Sequence, residues 1–167
     1  MSTIAVSNTS PLVAFSAIGR LDLLRNVFET LLIPAGVRDE LFPTGTIWTE
    51  AEAAQRAISQ ASWLRVAAAS QSPSCPGLSQ RLGAGEAEAI ALAIQQNLPL
   101  VIDDLEARET AHTLGLEIIG SLGVVARNKR MRAIKEAKPI VQAMKQAGIF
   151  YSGALIHQFL RELGEAP

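Results

Sequence analysis

Aromatic residues, cysteine and net charge are all scarce in this chain of 167 residues. Aromatic side chains make up only 5% of the sequence while alanine occurs 26 times, a composition that favours many short, closely packed helices. The single cysteine, Cys75, excludes an internal disulfide framework and a zinc site built from cysteines. A net charge of −1 excludes a polycationic protein that coats nucleic acid by bulk charge, although it permits a local basic patch.

Long hydrophobic runs are missing as well. No stretch approaches about 18 uncharged apolar residues, so we expect no membrane span. The first residues lack a basic segment followed by a long apolar one, so no signal peptide is visible and we expect a cytoplasmic protein. The chain is nevertheless 49% hydrophobic and 19% charged, which is typical of a sequence that forms a core. At this length we expect a single domain over residues 1–167.

Short continuous apolar runs alternate along the chain with stretches of helical periodicity. The runs predict five strands, at residues 4–6, 31–33, 63–66, 98–102 and 116–119. The periodic stretches predict helices at residues 11–18, 21–28, 37–42, 50–60, 83–96, 105–114, 121–130, 134–147 and 152–163. Ser10 is the predicted cap of the first helix, with Pro11 at its first position. This alternation predicts an α/β fold, a three-layer α/β/α sandwich with a central parallel sheet.

Polar side chains follow two of the predicted strands. Asn8 comes after the first strand, and Asp103 and Asp104 come directly after the fourth. Glu40 lies on the helix after the second strand, and Glu86 opens the helix before the fourth. Ligands of parallel sheets bind outside the carboxyl ends of the strands. Carboxylates clustered there repel one another unless a cation joins them, and ligands that are all oxygen suit Mg²⁺ or Mn²⁺.

Each acidic residue also has a simpler interpretation. Asp103 or Asp104 can cap the following helix, and Asp103 has Glu106 three residues later as in a capping box. Glu86 can complement the dipole at a helix N-terminus. Glu40 can be a solvated surface residue. The positions of the acids along the chain leave both interpretations open.

The most basic part of the chain is residues 127–138, where six basic side chains and one acidic side chain give a local charge of +5. This segment is either a solvated junction between two helices or a surface that holds phosphates without reading a sequence. On the second interpretation the predicted nucleic-acid contacts are Arg127, Lys129, Arg130 and Arg132. An acidic metal pocket beside a basic rim is what phosphodiester hydrolysis needs.

Several short motifs run in a fixed order over nearly the whole chain. They occupy residues 6–12, 33–34, 37–41, 85–93, 102–104, 111–116, 119–124 and 155–156. In this order and spacing the chain resembles the PIN-domain ribonucleases, in particular the VapC-like toxin branch found beside antitoxins in prokaryotes. The resemblance implies a three-layer α/β/α fold and metal-dependent endonucleolytic cleavage of RNA.

The resemblance also implies a set of site residues. The acidic positions of the family fall on Asn8, Glu40, Glu86 and Asp103, with Asp104 as an adjacent candidate, and the three carboxylates of the first four are the implied catalytic residues. Asn8 departs from the aspartate that the family usually carries. Asparagine keeps one carbonyl oxygen but loses a charge, so we expect weaker metal binding. The asparagine is either a change introduced to silence a toxic nuclease or a natural feature of a weakened or non-catalytic member.

Two functions of different classes follow. The first is a toxin-type endoribonuclease in which an Mg²⁺- or Mn²⁺-activated water attacks the RNA phosphodiester bond. In that enzyme Thr9 or Ser10 hydrogen-bonds a ligand carboxylate or the phosphate, unless these residues serve only the helix cap. The alternative is a non-catalytic PIN-like module that binds RNA or protein. The expected partners are RNA, a cognate antitoxin protein and a second copy of the chain in a homodimer.

Overall fold

The computed structural model describes residues 3–42, 58–68, 78 and 82–166, and most of the predicted helix 50–60 lies outside these residues. The five strands within them are β1 (Ile4–Ser7), β2 (Thr30–Ile33), β3 (Leu64–Val66), β4 (Leu100–Val101) and β5 (Ile118–Ile119). The eight helices within them are α1 (Thr9–Ala17), α2 (Asp22–Val27), α3 (Ala35–Leu41), α4 (Ala84–Gln96), α5 (Leu105–Thr113), α6 (Ser121–Arg130), α7 (Lys138–Gln146) and α8 (Gly153–Glu162).

The strands form one sheet in the order β3-β2-β1-β4-β5, and every neighbouring pair is parallel. The predicted parallel sheet is therefore confirmed. β1 lies at its centre, where Val6 is paired with Leu100 of β4. β4 and β5 are shorter than predicted because only two residues of each pair as strand. Hydrogen bonds of the same ladder continue beyond them, from Val6 N to the Pro99 carbonyl and from Ile102 N to the Ile119 carbonyl.

Neighbouring residues of the central strands bury their side chains on opposite faces of the sheet. Ala5 and Val101 belong to a larger apolar cluster with residues of α1, α2, α3, α6, α7 and α8. Val6 and Leu100 belong to a second cluster formed mainly with α4 and α5. A sheet that is covered by helices on both faces is the predicted three-layer α/β/α arrangement, which the structure confirms.

The structure corrects one predicted helix start and decides between two candidate caps at another. α1 begins at Thr9 with Asn8 as its N-cap, so the predicted cap at Ser10 is wrong. Asn8 is extended because its backbone N–H continues the ladder to the Val101 carbonyl at 3.2 Å, and the chain turns into the helix directly after it. At the start of α5 the cap is Asp104, not Asp103. None of the helices in the described ranges has both the length and the apolar character needed to cross a membrane.

Candidate functional site

Asn8 and Asp103 lie at the carboxyl edge of the sheet, after the paired strands β1 and β4. The Asn8 side chain is almost completely buried, with 1% of the residue exposed. Among the described residues its Oδ1 atom has no hydrogen-bond partner. A buried polar atom without a partner is costly, and a carbonyl oxygen accepts only a donor or a cation. Asn8 therefore presents an unused oxygen ligand in the middle of this edge.

Asp103 is held by the start of α6, the helix that follows β5. The Ser121 N–H donates to Oδ1 at 2.7 Å, and the Ser121 hydroxyl donates to Oδ2 at 2.5 Å. Two donors, one on each oxygen, fix the orientation of the carboxylate. The role of Ser121 was missed in the sequence. The signal that could have found it is a hydroxyl residue directly after the fifth strand, at the same edge.

Tyr151 lies close to this carboxylate and was also missed. Burial raises the pKa of the Tyr151 phenol, and the negative charge of Asp103 raises it further. Its buried hydroxyl oxygen lies near Ser121 without a hydrogen bond of normal geometry to any described residue. The phenol therefore stays protonated and has a donor to spare beside Asp103.

Glu40 connects the starts of two helices. Its Oε1 accepts the Gly85 N–H near the beginning of α4 at 3.1 Å, and its Oε2 accepts the Thr9 hydroxyl of α1. A Cβ atom at Gly85 would lie 2.5 Å from Oε1, so the carboxylate comes this close only because residue 85 is glycine. Arg38 pairs with Asp39 at 2.7 Å instead. Although Glu40 is largely exposed, its carboxylate is anchored and is not a freely solvated group.

Glu86 lies among like charges. Burial raises the pKa of its carboxyl group, and the charges of Asp104, Glu40 and Glu106 raise it further, against a lowering hydrogen bond from the Gly83 N–H at 3.2 Å. The predicted repulsion between clustered carboxylates is thus present around this residue. Asp104 has a structural task in addition, because its Oδ1 accepts the Ala107 N–H at 2.9 Å and caps α5.

The candidate metal ligands at this edge are all oxygen atoms, but they do not form a closed metal site. Within the described residues, no three side chains of His, Cys, Asp or Glu lie close enough to share one ion. Glu40, Glu86 and Asp103 are instead each bound to an N–H group at the beginning of a helix. Two features nevertheless fit a hard divalent cation, the unpartnered Oδ1 of Asn8 and the repulsion felt by Glu86.

A cleft of about 1130 Å³ opens beside Asp103, between α1, α5, α6 and α8. Thr9, Ser10 and Arg108 line it at the sheet edge, and Arg130 lines it farther along α6. Its wall also carries large apolar side chains that are exposed, namely Val13, Leu105, Phe150 and Leu155, of which Phe150 is 90% exposed. The cleft therefore joins the acidic edge to a basic rim through a partly apolar surface.

The four predicted RNA contacts have different environments. Lys129 Nζ is held by Glu165 Oε1 at 2.5 Å and by the Leu163 carbonyl at 2.9 Å, with 21% of the Lys129 side chain exposed. This lysine therefore already binds acceptors within the fold, and its contact with RNA stays a prediction. Arg127 lines the cleft and pairs with Glu117 at 3.3 Å.

Arg130 and Arg132 are both exposed. Arg130 lines the cleft, whereas Arg132 lies in the turn after α6, where its φ of 61° places it in the left-handed region. Of the two, Arg130 is therefore the one that faces the same cleft as Asp103.

Replacing Glu86 with glutamine tests the charge repulsion. Because the folded state raises the pKa of Glu86 above its ordinary value of 4.5, the ionised carboxylate disfavours folding at neutral pH. We expect Glu86→Gln to raise the Tm at neutral pH in EDTA, and the gain to disappear as the pH falls through the raised pKa towards 4.5.

Mn²⁺ should reverse the order of the Tm values of the native chain and Glu86→Gln. A ligand that binds only the folded state at free concentration L stabilises it more when its affinity is higher, by RT ln(1 + L/Kd), so Mn²⁺ should raise the Tm of the native chain more than that of Glu86→Gln. Glu88→Gln is the matched control, since Glu88 lies on the same helix and accepts the Gly36 N–H at 2.7 Å. An equal response to Mn²⁺ in all three proteins would contradict a metal ligand at position 86.

The chain is similar to known proteins in both sequence and fold. The sequence model of the family described as PIN domain matches residues 4–165. Among solved structures, the chain is similar to a PilT N-terminus domain protein from the hyperthermophilic archaeon Sulfolobus solfataricus P2. That match has a TM-score of 0.54 and 22% identity, and it covers 75% of this chain and 92% of that chain. No curated protein matches the chain. At 22% identity the structural likeness concerns the fold alone.

Proposed function

Because the chain belongs to the PIN-domain family, whose members are generally nucleases, we propose that it is an endoribonuclease of the VapC-like toxin type that depends on Mg²⁺ or Mn²⁺. One observation carries the proposal. The buried, unpartnered Oδ1 of Asn8 and the anchored carboxylate of Asp103 follow paired strands at the edge where parallel sheets bind ligands. That edge opens into a cleft with a basic rim.

The metal ligands we propose are Asn8 Oδ1 and the carboxylates of Glu40, Glu86 and Asp103. Because no three acidic side chains of the described residues converge on one point, these carboxylates would have to move closer together to hold the ion. When bound, the divalent cation supplies a Lewis acid for the phosphoryl group and a lower pKa for water. The chain's own residues hold these ligands in place. Thr9 and the Gly85 N–H orient Glu40, and Ser121 orients Asp103. Such supporting contacts strongly influence metal affinity and activity. We assign Asp104, the adjacent candidate, to the cap of α5 and not to the metal, because its Oδ1 accepts the Ala107 N–H.

The proposed substrate is RNA, and we propose that the protein acts in the cytoplasm. Arg130 and Arg127 on the cleft would contact the phosphate backbone, with Arg132 as an exposed outlying contact. A cognate antitoxin and a homodimer remain proposals as well. The exposed apolar side chains on the cleft wall, such as Phe150, offer contact area to a protein partner.

A non-catalytic PIN-like module that binds RNA or protein is the second candidate. Asn8 favours it, because the position that completes the acidic set carries no charge. In addition, no three acidic or histidine side chains of the described residues converge on one ion. This candidate predicts RNA or protein binding that is indifferent to EDTA, with no Mn²⁺ binding in a calorimetric titration.

Asn8→Asp tests which of the two candidates holds. An added carboxylate at this buried position at the sheet edge should raise the affinity for Mn²⁺ about tenfold, equivalent to roughly 1.4 kcal/mol. It should also increase the cleavage of single-stranded RNA in Mn²⁺. Without metal, the new charge is buried without a partner, so we expect a lower Tm in EDTA than for the native chain.

Gln142→Glu on α7 is the control for total charge, because it adds the same charge at an exposed position outside the cleft lining. Its Mn²⁺ affinity should equal that of the native chain. If neither the native chain nor Asn8→Asp binds Mn²⁺, the nuclease proposal fails and the binding module is the better description.

A further inference from the structure

Arg108 of α5 lies over a glycine in the lining of the cleft. An ideal Cβ atom built on Gly120 would lie 2.7 Å from Arg108 Nη1 and 3.3 Å from Asp103 Oδ1. The guanidinium group therefore occupies the space that a side chain at position 120 would fill, next to the Asp103 carboxylate. Gly120 has φ −85° and ψ 168°, an extended conformation open to any residue. It is the missing side chain, and not the backbone shape, that makes room for Arg108.

In the part of the chain that the structure describes, the guanidinium group of Arg108 forms no side-chain hydrogen bond and no ion pair, although Asp103 is its neighbour and its charge also acts on Tyr151. Both oxygens of Asp103 are already bound by Ser121. Arg127, farther along the same cleft, is paired with Glu117. The donors of Arg108 are thus left for a group that enters the cleft.

We propose that Arg108 binds the phosphate of the RNA at the position of cleavage, and that the absence of a side chain at Gly120 gives Arg108 the space to lie beside Asp103. The inference rests on the proposed nuclease function and names a further substrate-binding residue for it. A guanidinium group presents planar, always charged donors that match two oxygens of a phosphate. Its positive charge also offsets the carboxylates at this edge when a polyanion approaches.

The experiment measures RNA binding apart from cleavage. A fluorescent single-stranded RNA is titrated with the native chain in EDTA at several salt concentrations, and anisotropy is recorded. Arg108→Ala should weaken binding about tenfold and lower the slope of log K against log salt by roughly 0.7, as expected for one lost phosphate contact on a single strand. Arg108→Lys keeps the charge but not the planar fork, so its affinity should lie between those of the other two proteins.

Gly120→Ala provides an independent perturbation of the same contact. The added methyl group would displace the flexible end of Arg108 and should weaken binding in the same direction. In the double variant Arg108→Ala with Gly120→Ala, the second change should add little, because the contact that it disturbs is already absent. Arg65→Ala is the control, since Arg65 is exposed on β3 at the opposite edge of the sheet and should bind RNA as the native chain does.

Unchanged affinity and salt slope in Arg108→Ala, or fully additive effects of the two changes, would overturn the inference. A native chain that binds RNA through Arg108 but does not cleave it in Mn²⁺ would contradict the proposed nuclease function alone. Native Tm values in the variants exclude misfolding as the cause of weaker binding.

Discussion

Asp103→Asn is expected to lower the rate of RNA cleavage in Mn²⁺ by about a hundredfold or more, which corresponds to roughly 3 kcal/mol of lost transition-state stabilisation. Asp103 presents two oxygens that are each bound by a donor of Ser121. Asparagine replaces one oxygen with an NH₂ group, which cannot accept from Ser121 and cannot bind a cation. The substitution removes a negative charge as well. Cleavage of a labelled single-stranded RNA, measured in the native and the Asn8→Asp chains, is the direct measurement.

Asp104→Asn is the matched control for this prediction. Asp104 is adjacent in the chain, but its carboxylate accepts the Ala107 N–H and caps α5. Asparagine is an equally good cap, so both the Tm and the cleavage rate should stay close to native. Equal losses in the two variants would mean that the activity follows the total negative charge. Full activity in Asp103→Asn would remove Asp103 from the metal site.

Glu165→Ala is expected to lower the free energy of unfolding by about 2–3 kcal/mol. Glu165 accepts from Lys129 Nζ at 2.5 Å, from Ala137 N at 2.6 Å and from Lys138 N at 2.9 Å. Its side chain is 10% exposed and that of Lys129 is 21% exposed, so alanine would leave poorly solvated donors behind. We place the loss below the range for fully buried ion pairs because water still reaches both groups. Urea unfolding of the two proteins measures it.

The same carboxylate makes stability depend on pH. Burial raises the pKa of Glu165, but hydrogen bonds from Ala137, Lys129 and Lys138 outweigh burial and lower the pKa below its ordinary value of 4.5. A lowered pKa gives stability that is present above the ordinary value and is lost as the pH falls through the folded one. The native chain should therefore lose more stability below pH 4.5 than Glu165→Gln does. Parallel pH profiles for the two proteins would contradict this assignment.

Neither change at position 165 should alter RNA cleavage by the folded protein, because Glu165 is not part of the cleft lining. This separates its effect from that of Asp103→Asn, which should reduce activity while leaving the protein folded. A loss of cleavage in Glu165→Gln at a temperature where it is fully folded would show that the end of the chain influences the site.

The prediction of the sheet succeeded because its signal is local. A strand that is buried on both faces needs an unbroken apolar run, and runs such as 31–33 carry that signal within a few residues. The position of Asn8 and Asp103 followed for the same reason, since each stands close behind its strand. The first helix start was misplaced because Ser10 followed by Pro11 has the sequence pattern of an N-cap and a first helical residue, and Asn8 is an equally suitable cap residue. The ladder bond of Asn8 N to the Val101 carbonyl decides that start, and it comes from a distant strand.

The amino-acid sequence alone determined the layered fold, the sheet edge at which polar side chains lie and the family resemblance. All three depend on short patterns of neighbouring residues. The contacts of the site came only from packing. The Glu40 contact with Gly85 spans 45 positions, and the Lys129 contact with Glu165 spans 36. The approach of the Arg108 guanidinium to the space over Gly120 likewise exists only where α5 meets the start of α6. Helix packing decides which charges are paired and which remain for a ligand, because side chains far apart in the chain meet only in the folded state.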